Sequence, residues 1–159
     1  MRNKLTITAA AITALVTMTS YAAPAFAHNN QNNDDQDDKP FVLNTKQVDL
    51  APTTDPTAIG QTYALTEDVF DKGGKMVGHD GVSCTATRII TTGSEFICMG
   101  GLRLDGRGEL EVQGLFTKGE KHIVAAITGG TGEFKSAHGQ VTIDVISDTE
   151  RSIKVELDD

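Results

Sequence analysis

In the segment QTYALTEDVF, residues 61–70, one carboxylate sits among apolar neighbours: Glu67 alternates with Tyr63, Leu65 and Val69. In an extended strand these four side chains leave the same face. A carboxyl group on an apolar face is disfavoured in its charged form, which raises its pKa and makes it a candidate general acid or electrostatic stabiliser. The same residue could instead sit at a strand end with its carboxylate in water, the commoner fate of Glu. Asp68 points the other way, and a one-residue slip in register would exchange the two acids. His79, on a strand with Val77, is a candidate proton shuttle or a surface imidazole. Arg103 and Arg88 are cations that could pair with Glu67 across a closed sheet or stay on the surface. If the face of Glu67 is a binding face, Tyr63 and Leu65 are its apolar ligand contacts and Arg103 is a further ligand-binding candidate.

A second stretch, AITGGTGEFKSAHGQV from Ala126 to Val141, looks like a phosphate-binding loop. Such a loop needs Gly directly before Lys-Ser, but Phe134 stands before Lys135 and Ser136; the dinucleotide pattern needs a third Gly where Lys135 sits. The segment that follows, GQVTIDVIS, is β-branched with period two, so it reads as a strand where a phosphate cradle requires a helix. The bland alternative, a glycine-rich turn between two strands, fits better. Serine-hydrolase chemistry has no G-x-S-x-G to rest on.

Cys84 and Cys98 flank a hairpin whose turn lies near Thr91 to Gly93. Simple antiparallel pairing about that turn sets them opposite one another, within disulfide reach, and in an oxidising compartment they should be bridged. Metal binding by two cysteines without clustered histidines, or a free catalytic thiol, is the less favoured alternative, and no metal site is expected.

These residues must be positioned by strands. From Phe41 onward the chain consists of short β-like runs: Phe41–Leu50, Thr62–Phe70, Lys75–Ile90, Glu95–Leu104, Glu109–Thr117, His122–Thr128, Gly139–Ser147 and Arg151–Leu157. Turn residues such as Asp71-Lys72-Gly73-Gly74 and Asp105-Gly106-Arg107-Gly108 separate them. No window carries apolar residues at helical spacing over three turns. About eight strands with tight connections in one small domain predict an antiparallel barrel or sandwich. Alternation gives each strand one wet face: Leu110, Val112 and Phe116 oppose Glu109, Glu111 and Gln113. An eight-stranded barrel of this kind fills with side chains or holds one small ligand, and plentiful Gly, Ala and Thr without Trp lean toward a cavity.

The N-terminus bears on where the protein works. Arg2 and Lys4 precede an uncharged stretch, Leu5 to Met18, and Ala25-Phe26-Ala27 has the small-x-small form of a signal-peptidase site, so residues 1–27 are expected to be a signal peptide and the mature protein to be secreted. That stretch is too short and too rich in Ala and Thr for a comfortable membrane span. Residues 28–39, HNNQNNDDQDDK, contain no apolar side chain and are expected to form a disordered acidic tether. The barrel domain is then residues 40–159. The full chain has 14 basic and 22 acidic residues; losing Arg2 and Lys4 leaves 12 and 22, a net charge of −10. Such a surface repels nucleic acid and anionic lipid, so neither is an expected partner.

The runs GELEVQGLFT and HIVAAITGGTGEFKSAHGQV resemble the C-terminal half of allene oxide cyclases, where a V-Q-G strand is followed by A-[IV]-T-G-G-x-G-x-F-x-x-x-x-G-Q-V. KMVGHDGVSC, Lys75 to Cys84, is similar to that family's G-x-x-x-G-x-C approach, with one residue inserted before the Cys. The glycine-rich segment also resembles the G-G-T-G-x-F-x-x-A-x-G signature of plant dirigent proteins. The resemblance covers about Thr62 to Ser147. It implies an eight-stranded antiparallel β-barrel with a central hydrophobic cavity, in which the GGTG segment is a barrel connection. It further implies a small hydrophobic ligand, steered through shape and a carboxylate without metal or organic cofactor. Glu67, or Asp68 on the dirigent pattern, would be the acid. These barrels often associate, so a homo-oligomer is a further expectation. Two departures weigh against full transfer: Lys135 and His138 stand where dirigent proteins carry arginines, and Asn44 is the only Asn after the tether to match the family's water-holding asparagines. Two functions therefore stand side by side: a secreted cyclase or isomerase for a reactive apolar molecule, and a non-catalytic barrel that binds or orients one, as dirigent proteins and lipocalins do.

Overall fold

The computed structural model describes residues 39–52, 56–91 and 93–158. The expected signal peptide and nearly all of the tether lie outside them. Eight strands follow in chain order: β1 (Phe41–Ala51), β2 (Thr62–Phe70), β3 (Met76–Ile90), β4 (Gly93–Leu104), β5 (Gly108–Thr117), β6 (His122–Gly130), β7 (Gly139–Val145) and β8 (Glu150–Leu157). Each pairs antiparallel with the next, and β8 returns to β1, with Leu43 opposite Ile153 and Thr45 opposite Arg151. The sheet is therefore a closed barrel with no free edge among these strands.

Local chemistry ends the strands where the barrel must turn. Between β2 and β3, Oδ1 of Asp71 accepts hydrogen bonds from the backbone N–H groups of Gly73 (2.8 Å) and Lys75 (2.9 Å), the Asx device that holds a tight turn. In β3 the register shifts at Val77, which leaves that residue as an extra one between Met76 and Gly78. The side chain of Val77 still packs on the core, but alternation beyond it is reset. Gly78 cannot be replaced there, because a Cβ would lie 1.9 Å from the carbonyl oxygen of Arg103.

Two apolar clusters fill the barrel on either side of a polar layer. One contains Val69, Leu104, Leu110, Phe134 and Val155; the other contains the Cys84–Cys98 pair, Ala86 and Phe96, with Tyr63, Val82 and Phe116 against it. Each large side chain buried here contributes on the order of 1.5–3 kcal/mol. The first cluster shuts one end of the barrel. A single 3₁₀ turn, Gly132–Phe134, drops from the β6–β7 connection and drives Phe134 inward, where its ring stacks on Phe41 with centroids 6.4 Å apart. The guanidinium of Arg107 lies over both rings, 5.2 Å from Phe41 and 4.9 Å from Phe134. Gly132 makes this possible: it has φ 63°, and a Cβ would lie 2.4 Å from the carbonyl oxygen of Arg107. The GGTG segment is thus the connection that carries a plug.

Candidate functional site

The polar layer is built where β2 and β3 lie side by side. Glu67 and Asp80 are direct partners in the β2–β3 ladder, and both side chains point inward and are buried, at 3% and 5% exposure. From β1, the hydroxyl of Thr45 donates to Oε2 of Glu67 at 2.9 Å. From β8, the guanidinium of Arg151 donates to Oε1 and forms an ion pair with the same carboxylate. Glu67 is therefore held at both oxygens. Asp80 is not: its Oδ1 is buried without a hydrogen-bond partner.

That asymmetry sets the protonation of the pair. Burial pushes the Asp80 carboxyl up from 3.8 to about 8, helped by the negative charge of Glu67 and a hydrogen bond to it, while Arg151 pulls the other way. Two adjacent carboxyl groups facing one guanidinium keep a proton at neutral pH, because two negative charges in a low-dielectric wall repel. The result is a neutral carboxylic acid beside a fixed carboxylate.

A pocket of about 370 Å³ opens from this layer toward the β5–β6 and β7–β8 loops, within the size range of small-molecule sites. Glu67, Asp80 and Arg151 line its polar side; Tyr63, Leu65, Val82, the disulfide and Phe116 line much of the rest. Tyr63 meets Phe96 edge-on with centroids 5.2 Å apart, and burial raises its phenol pKa against a smaller opposing pull from Arg151. Lys118, Glu120, Lys121 and Asp148 supply charges of both signs at the mouth.

The sequence-derived candidates divide by face. Glu67, Tyr63 and Leu65 line the pocket, as do Cys84 and Cys98, which are bridged with Cα atoms 4.1 Å apart. Asp68, His79 and Arg103 are brought together on the outer surface, where His79 is opposite Asp68 and Arg103 in the ladders. Arg103 forms an ion pair with Glu109, not Glu67, and Arg88 pairs with Glu95. His79 shares parity with the core residue Val77, but the extra residue at Val77 resets alternation and turns the imidazole to solvent.

Three members of the polar layer, Asp80, Arg151 and Thr45, are additional to those candidates. Asp80 was detectable: it shares parity with Val82 and Cys84, and Cys84 must face its partner. Arg151 alternates with Ile153 and Val155, a pattern that places it on the inner face of β8. Among the described residues no group of three or more His, Cys, Asp or Glu is clustered to hold a metal ion, and no helix is long and apolar enough to cross a membrane.

No known protein family matches the sequence, and no curated protein matches it. Solved structures do. A pyocyanin demethylase is 24% identical, with a TM-score of 0.67 over 76% of this chain and 100% of its own. An exo-specific intermolecular Diels-Alderase is 15% identical, with a TM-score of 0.60 over 75% of this chain and 96% of its own. A pterocarpan synthase dirigent protein is 15% identical, with a TM-score of 0.56 over 77% of this chain and 95% of its own. At these identities the likeness is one of fold: the chain has the barrel that cyclase and dirigent proteins also use.

Proposed function

We propose that this chain is a secreted cyclase or isomerase of the allene-oxide-cyclase type, which moves a proton on a small reactive hydrophobic molecule held in the barrel. The observation that carries the reading is the Glu67–Asp80 pair: one fixed carboxylate, one neutral acid with an unpartnered oxygen, and an apolar pocket in front of them. Asp80 gives its proton to the oxygen of a bound epoxide as the C–O bond opens. The proton returns to a carboxylate of the pair once the ring has closed, so substrate and product are isomers. Arg151 and Thr45 hold Glu67 in place and limit the charge that builds up when Asp80 ionises. Glu67 from the sequence reading keeps an electrostatic role, and Asp80 takes the role of acid. The solved neighbours named as a Diels-Alderase and a dirigent protein support a barrel that orients reactive molecules. The intrachain disulfide fits an oxidising compartment outside the cytoplasm, and with it the signal peptide at residues 1–27.

The test is ring closure of an unstable epoxide by the mature protein and two variants. Asp80→Asn and Glu67→Gln preserve shape and should each cost roughly 10² or more in rate with little change in ligand affinity. Wild-type turnover should fall as pH rises through about 8, where the acid loses its proton. Variants that turn over like wild type would refute the acid pair. A wild-type protein that binds the epoxide without converting it would leave the ligand-binding barrel as the function.

A further inference from the structure

Once Asp80 ionises, the floor of the pocket is one positive charge short. Two carboxyl groups face it, Glu67 from β2 and Asp80 from β3, against the single guanidinium of Arg151 from β8. Arg151 is already committed to Oε1 of Glu67. From β1 the neighbouring polar group is the uncharged Thr45, and from β2 the remaining titratable group is the Tyr63 phenol, whose burial keeps it neutral. Cys84 and Cys98 are bridged and do not titrate. At the mouth, Lys118 and Lys121 are matched in number by Glu120 and Asp148. A buried polar atom without a partner costs about 1–3 kcal/mol; Oδ1 of Asp80 is such an atom, on a residue that lines the lumen.

We infer that the lumen also binds a compact hydrophobic organic monocation, its charged nitrogen beside Oδ1 of Asp80 and its apolar body against Tyr63 and Phe116. Both halves of such a molecule are met. The ionised Asp80 supplies the counter-charge in a water-poor site, and the aromatic faces add a cation–π attraction that strengthens when the cation is desolvated. An anion would meet Glu67 at the floor with no unpaired guanidinium to receive it. The inference goes beyond the proposed reaction and does not require it, because it depends on the charge of the lumen and not on turnover.

Binding of a cation exchanges for a proton. In the empty barrel near neutral pH, Asp80 is protonated; beside a positive nitrogen the ionised form is favoured, so the proton leaves as the ligand enters. With the carboxyl near 8, roughly 0.9 proton is released per cation at pH 7. Affinity rises about hundredfold between pH 6 and pH 9 and levels off above the carboxyl's own pKa. A neutral ligand shows neither effect.

The experiment is calorimetric titration of the mature, oxidised protein with benzyltrimethylammonium and with its uncharged isostere neopentylbenzene. Each is measured at pH 6, 7, 8 and 9, in buffers of different ionisation enthalpy so that proton release is read directly. The expected result is cation binding that tightens about hundredfold across the series with release of nearly one proton at pH 7, against pH-independent binding of the isostere. Asp80→Asn should abolish both the pH dependence and the release; if that variant does not fold, the wild-type series decides alone. Cation affinity that is flat with pH, or no greater than that of the isostere at pH 9, overturns the inference and leaves the lumen a site for neutral molecules. Binding of neither probe also overturns it, and the epoxide assay then decides the proposed function separately.

Discussion

Asp80→Asn should make the barrel more stable in alkali than the wild type. The folded protein holds the carboxyl up near 8, whereas the unfolded chain releases it to an ordinary 3.8. Between those values the unfolded state has lost a proton that the folded state keeps. Stability from this group is therefore intact below about 3.8, declines as pH rises, and stops declining above about 8. At roughly 1.4 kcal/mol per pH unit, the full window corresponds to about 6 kcal/mol at most, and the part between pH 5 and pH 9 to about 4 kcal/mol. Asn has nearly the same shape, is neutral at every pH, and can donate to Glu67 as the acid does. Urea unfolding of both proteins at pH 5 and pH 9, disulfide intact and followed by circular dichroism, isolates the effect as a difference between proteins, so other titrating groups cancel. The variant should gain about 4 kcal/mol on the wild type over that interval. A difference constant to within about 1 kcal/mol would show that Asp80 ionises normally in the folded barrel, and both the neutral acid and the proton exchange would lose their basis.

Other outcomes follow from the plug and the wall. Phe134→Ala removes a buried ring from the stack with Phe41 and Arg107 and should cost about 3–5 kcal/mol in chemical unfolding; a loss below about 1 kcal/mol would mean that the plug does not close the barrel. Cys84→Ser should cost about 3 kcal/mol, from the loop of 14 residues that the bridge closes, with circular dichroism still reporting strand; equal stability with and without reductant would refute a structural bridge.

Much of the barrel is legible in the sequence because strand texture and turn chemistry agree. All eight strands fall within two residues of their expected ends, and the differences arise at turns: β4 begins at Gly93 where Glu95 was expected, and β6 runs to Gly130 past Thr128. The disulfide register could be read as well, since two residues symmetric about a hairpin turn must meet. Alternation sorts β2 into a Glu67 face and an Asp68 face, and the barrel turns the Glu67 face inward. What could not be read was the irregularity at Val77, because a bulge depends on how two strands share curvature, and composition carries no mark of it. Parity with Val77 therefore misplaces His79, whereas Asp80 shares its parity with Val82 and Cys84 beyond the irregularity. Arg151 was hidden for another reason: an arginine in a short strand near the terminus is commonly solvated, and only barrel closure brings β8 against β1 and its guanidinium to Glu67. Arg103 had a readable counter-signal, since Leu102 and Leu104 on either side both point inward.

The stack of Phe41, Phe134 and Arg107 has a kinetic meaning. Among the described residues, a vessel stoppered at its base opens past the loops between β5 and β6 and between β7 and β8, so a molecule held inside would leave by the route it entered. Traffic is then strictly alternating: a second reactant cannot enter while the first is being released, and a product bulkier than its precursor would be retained. Such a vessel favours reactions in which one molecule rearranges on itself, changing shape without growing, over those that join two.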